Sequence, residues 1–145
     1  MSIGRIQSAT PVPQTKLRVT FEDGFHATID LAPVIGRHAK LALLADEDAF
    51  QEVRVADDGW SVEWPNCGID FGAPQLRRWA DEQSGRTMSA ESFREWMGRN
   101  HLTLDSAAEA LGLSRRTIAY YLSGEQPIPR TVMLATEGFE ARKVA

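Results

Sequence analysis

From Leu17 the chain alternates: Leu17, Val19 and Phe21 are apolar, Asp23-Gly24 interrupts, and Phe25, Ala27, Ile29 and Leu31 resume the pattern. A period of two on either side of an Asp-Gly pair predicts a β-hairpin, because strand residues face alternate sides and the turn needs backbone that glycine adopts easily. The device recurs in VRVADDGWSVEW, where Val53 and Val55 precede Asp57-Asp58-Gly59, and Trp60, Val62 and Trp64 follow. The alternation puts Trp60 and Trp64 on one face, where aromatic residues are more often core than ligand platform. Between the hairpins, LAPVIGRHAKLALLADEDAF opens with Pro33, is rich in Leu and Ala, and predicts one or two short helices. GIDFGAPQLRRWADEQSG then predicts a short strand through Ile69 and Phe71, and a helix with Leu76, Trp79 and Ala80 inward that stops before Gly85.

Beyond the polar stretch DEQSGRTM the period of two disappears, which places a domain boundary there: residues 1–84 before it, 85–145 after it. Ser89 is a helix cap, Met88 and Phe93 stand at hydrophobic-staple spacing, and Phe93, Trp96 and Met97 share one side of a helix ending near Asn100. In LDSAAEALGLSRRTIAYYL each position has a steric duty. Ala108 is small where two helices cross, Gly112 takes a positive φ that ends the first helix, and Leu113 plugs the corner. Ser114 caps the next helix, and Ile118 with Leu122, one turn apart, hold it on the core. At 100° per residue, Arg116 and Tyr120 then point outward one turn apart, flanked by Arg115 at the helix N-terminus. SGEQPIP breaks that helix, and RTVMLATEGF predicts a last one with Val132, Leu134, Ala135 and Phe139 in the core. The fold class is therefore α+β: an N-terminal domain of two β-hairpins with packed helices, then an all-α domain of four or five helices.

Composition narrows the function. The chain has 145 residues, 43% hydrophobic and 25% charged, with no low-complexity run, as expected of globular domains. Its net charge of -4 argues against indiscriminate polyanion binding. The deficit lies in residues 1–86, with 9 basic against 13 acidic side chains, while residues 87–145 carry 7 against 7. No apolar run reaches the roughly 18 residues of a membrane span, and MSIGRIQSATPVP lacks the apolar centre of a secretory signal, so a soluble, cytoplasmic protein is expected. Catalysis is not expected. Cys67 is the single cysteine, and His26, His38 and His101 are scattered without a nucleophile or zinc spacing, which leaves no metal and no cofactor to propose. Asp57 and Asp58 suit a turn, DEDAF suits a helix start, and Gly24, Gly59 and Gly68 are isolated turn glycines rather than a phosphate loop.

From Ser89 to about Glu140 the chain resembles the Cro/C1-type, lambda-repressor-like helix-turn-helix family. The resemblance rests on A-x-x-x-G-(L/V)-S at Ala108, Gly112, Leu113 and Ser114, on Ile118, and on Ser123-Gly124 ahead of a proline. The first half resembles a widespread bacterial domain family of unknown function, through Leu17, Val19, Phe21, Asp23 and Gly24, then Phe50 and Val53, then Trp64, Pro65, Asn66 and Asp70. Together these resemblances imply a sequence-specific DNA-binding protein, a transcriptional regulator or an antitoxin-like autoregulator, whose helix 114–122 reads the major groove of double-stranded DNA. The expected contacts are Ser114, Arg115, Arg116, Thr117, Ala119 and Tyr120, with Arg130 on a phosphate. Leu104 stands where such repressors often carry a phosphate-binding Gln, so Thr103 is the nearby substitute. Arg99 is a further phosphate candidate. A homodimer is expected, because one module covers only a few base pairs, and the N-terminal domain would supply dimerisation or a protein-partner surface. The alternative is a protein-interaction module that keeps the helical fold without binding DNA.

Overall fold

The computed structural model describes residues 4–144. The chain divides into two compact units, Met1–Gln83 and Ser84–Ala145, each built around its own apolar cluster.

The first unit contains two three-stranded antiparallel sheets rather than two isolated hairpins. β1 (Ile6–Val12), β2 (Lys16–Phe21) and β3 (His26–Asp30) form one, in that order. β4 (Arg54–Val55), β5 (Ser61–Trp64) and β6 (Ile69–Gly72) form the other. Between them lie α1 (Ala32–Arg37), a short 3-10 helix (Ala39–Ala45) and α2 (Glu47–Phe50); α3 (Ala73–Gln83) follows β6. Each hairpin read from the period of two is thus part of a larger sheet. The strand that the pattern misses is β1, in which only Ile6 is fully buried and Pro11 interrupts the donors. Its partner defines it: β2 exposes a second edge of backbone donors and acceptors, and residues 6–12 satisfy it.

The sequence motifs of this unit do structural work. At the Asp23-Gly24 turn the Asp23 carboxylate accepts from the Phe25 amide at 3.0 Å, and Gly24 takes a φ of 91°. Arg77 of α3 reaches that turn: it pairs with Asp23 at 3.1 Å, and its guanidinium carbon lies 3.7 Å from the Phe25 ring centroid and 5.1 Å from that of Phe21. The Trp64 indole donates to the Phe50 carbonyl at 2.9 Å with the rings 5.5 Å apart, and the Asn66 amide donates to Glu52. Trp60 corrects the expectation that both hairpin tryptophans are core. It precedes β5, where the sheet no longer covers it, and it is 43% exposed with the Arg5 guanidinium above its ring.

The second unit holds α4 (Ala90–Arg99), α5 (Leu104–Leu111), α6 (Arg115–Ser123) and α7 (Arg130–Val144), with a backbone bridge between Met88 and Ile128. Phe93 and Trp96 of α4, Ala107 of α5 and Ile118 of α6 are fully buried. The last helix is turned differently from the sequence pattern: Leu134 is 49% exposed and Ala135 is also at the surface, while Thr136 is buried and Val132 and Phe139 pack on the core. A polar contact sets this rotation. The buried Trp96 indole donates to the Thr136 carbonyl at 3.1 Å, and the Thr136 hydroxyl donates to the Met133 carbonyl at 2.6 Å, so the inward stripe is Val132, Thr136 and Phe139. No helix among the described residues is long and apolar enough to cross a membrane.

Candidate nucleic-acid interface

Two short helices joined through Gly112 present the candidate surface. Thr103 caps α5: its hydroxyl accepts from the Ser106 amide, and its own amide donates to the Ser106 hydroxyl at 2.8 Å, a reciprocal box that satisfies two end donors. Thr103 thus spends its hydroxyl on the helix end. At the other end Gly112 adopts φ 70° and ψ 31°, and the Leu113 amide turns back to the Ala108 carbonyl at 2.9 Å. Ala108 is buried beneath this corner. Ser114 is exposed and caps α6, its Oγ accepting from the Thr117 amide at 3.1 Å and lying 2.9 Å from the Thr117 hydroxyl.

Inward and outward positions on α6 separate cleanly. Ile118 is fully buried and Tyr121 is nearly so, edge-on to Phe93 at 5.7 Å; burial raises the Tyr121 phenol pKa above its ordinary value. Arg115, Arg116 and Ala119 are exposed, while Thr117 and Tyr120 are half-buried. Arg116 donates from Nε to the Tyr120 hydroxyl at 2.7 Å, with its guanidinium carbon 5.3 Å from the ring centroid. No carboxylate pairs with Arg116 among the described residues. Arg115 differs, because its Nη1 lies 3.2 Å from a carboxylate oxygen of Asp105, in the first turn of α5. Both members of that pair are largely exposed.

The outlying cations are less free than their charge implies. Arg130, the first residue of α7, is exposed and donates to the Arg86 carbonyl at 3.4 Å. Arg99 is a correction: it makes a two-point contact with Glu140 at 2.7 and 3.3 Å, which holds the Glu140 carboxyl below the usual glutamate range. Two participants escape sequence reasoning. Asp105 lies ten positions from Arg115, too far for any local spacing rule, and Arg94 donates from α4 to the Leu122 carbonyl in the last turn of α6 at 3.0 Å. Arg94 braces the C-terminal end of the helix that carries Arg116 and Tyr120. The arrangement offers one unpaired guanidinium, one guanidinium shared with an acid, and a phenol, all on one helix surface.

Comparison with known proteins bears on both units. The family model described as "Protein of unknown function (DUF2442)" matches residues 6–82, within the first unit. No curated protein matches the chain. A crystal structure described as that of the "Putative DNA Binding Protein NE0471 from Nitrosomonas europaea ATCC 19718" is 37% identical, with a TM-score of 0.54, and the match covers 97% of this chain and 91% of that one.

Proposed function

The chain belongs to the DUF2442 family, whose description assigns no activity, and from the second unit we propose that the protein binds double-stranded DNA as a sequence-specific regulator of transcription. One observation carries the reading: Arg116 and Tyr120 stand together on the outward side of a helix whose inward side, Ile118 and Tyr121, is locked in the core. A helix anchored this way inserts its outer side chains into a major groove without unfolding anything. Arginine there matches the two acceptors of guanine, and a helix N-terminus tolerates the phosphates alongside. The resemblance of Ala108, Gly112, Leu113, Ser114 and Ile118 to the Cro/C1-type helix-turn-helix supports the reading, as does the similarity to the Nitrosomonas protein described as a "Putative DNA Binding Protein".

In this reading Thr117, Ala119 and Tyr120 accompany Arg116 in the groove, and Arg115 and Arg130 lie toward the backbone phosphates. Two copies related by a two-fold axis present their α6 helices about 34 Å apart, one turn of the duplex. The test is binding of the full chain to random duplex and to its own upstream DNA over a range of salt. Affinity is expected to fall with rising salt, and Arg116→Ala is expected to lower affinity for the preferred duplex about tenfold. Salt-independent binding, or none, overturns the proposal.

A further inference from the structure

Building on the reading of α6 as a groove-binding helix, we infer that Tyr120 is a positioning residue that sets the Arg116 guanidinium to recognise guanine. Arg115 and Arg116 are neighbours in sequence with different surroundings. Arg115 shares its charge with Asp105 at 3.2 Å, whereas Arg116 has the Tyr120 hydroxyl on Nε at 2.7 Å and the Tyr120 ring 5.3 Å away. The two contacts divide the labour. A guanidinium has five N–H donors, one on Nε and two on each terminal nitrogen. With Nε occupied by Tyr120, both terminal nitrogens remain, and their parallel N–H groups match O6 and N7 of guanine, two acceptors on one edge. Adenine offers one acceptor and one donor there, so the same fork is mismatched.

The tyrosine also changes the cost of binding. A free arginine samples many rotamers and loses that freedom on docking, while one already held by a ring and a hydroxyl has lost part of it beforehand. Tyr120 is itself anchored: it is half-buried, its carbonyl accepts from the Gln126 amide at 3.3 Å, and its neighbour Tyr121 is in the core. Arg116 therefore projects from a partly rigid base, and Arg115 is left to the phosphates.

Selection of the full chain on a randomised duplex library tests this, with wild type, Arg116→Ala and Tyr120→Phe compared. Wild type is expected to select a G·C pair at one position over the other pairs by about tenfold or more, and Arg116→Ala to erase that preference. Tyr120→Phe keeps the ring and removes the acceptor. It is expected to weaken the preference about three- to tenfold at that position alone, a larger loss than any it causes on random duplex. Should Tyr120→Phe weaken binding to all sequences equally, the hydroxyl is a phosphate contact and the inference falls while the DNA reading stands. An unchanged guanine preference in Tyr120→Phe overturns it in the same way. If wild type binds no duplex, the inference falls together with the reading beneath it.

Discussion

Asp105 and Arg115 lie 3.2 Å apart on an exposed surface, where such a pair is worth at most about 1 kcal/mol. Its consequence is larger for binding than for folding, since every phosphate that meets Arg115 must displace Asp105 or sit beside its charge. Asp105→Asn is expected to raise affinity for random duplex by up to about fivefold, read by a fluorescence titration. The pairing is isolated by repeating the substitution in an Arg115→Ala background, where the gain is expected to shrink. An equal gain in both backgrounds means a general field effect instead. Acid sensitivity is also a residue-scale property. Arg99 lowers the Glu140 pKa through hydrogen bonding, and the Phe25 amide with Arg77 lowers that of Asp23. A lowered carboxylate pKa contributes stability that is complete above the unfolded value and is lost as pH falls through the folded one. Glu82 has the opposite sign, because burial raises its pKa, so it favours the fold at low pH and loses that contribution as pH rises. Glu140→Gln is therefore expected to flatten the decline of the urea midpoint below the ordinary glutamate range, while Glu82→Gln is expected to steepen the acid-side decline.

At the scale of elements, the corner between α5 and α6 is the most constrained feature of the second unit. Gly112 holds a φ of 70°, and a methyl group added there would meet nothing within 4 Å. The cost of a side chain is thus conformational rather than steric: Gly112→Ala is expected to lower stability by about 1–2 kcal/mol, and Gly112→Asn by less, measured by denaturant unfolding. This corner was legible beforehand, because glycine, a hydroxyl cap and a spaced apolar pair are local requirements. The hairpin turns were legible for the same reason, with Gly24 and Gly59 both at positive φ. Strand β1 was not legible, since its reason for being extended is the unpaired edge of β2. Likewise the Gln83 side chain, whose amide bonds both the N–H and C=O of Asp30 at 2.8 Å on the outer edge of β3, closes a gap 53 residues away.

At the scale of the whole molecule, the described residues form two apolar clusters that share no residue, which makes a prediction about cooperativity. Ile118→Ala removes a fully buried side chain from the second cluster and is expected to cost about 2–5 kcal/mol there. Trp96 is the sole tryptophan of the second unit, so in a variant with Trp60, Trp64 and Trp79 replaced by Phe its fluorescence reports that loss. Amide exchange in the β2–β3 pair is expected to stay unchanged. The sequence by itself determined the change from a period of two to a helical period near residue 85, the caps Ser89 and Ser114, and which side of α6 faces away from the core, because each depends on side chains within a few positions of one another. Only the tertiary structure decided strand β1, the exposure of Trp60 and Leu134, the capture of Arg99 by Glu140, and the sharing of Arg115 with Asp105. Those outcomes depend on groups ten to more than forty positions apart meeting in space, where a hydrogen bond or an opposite charge overrides what hydrophobic periodicity favours.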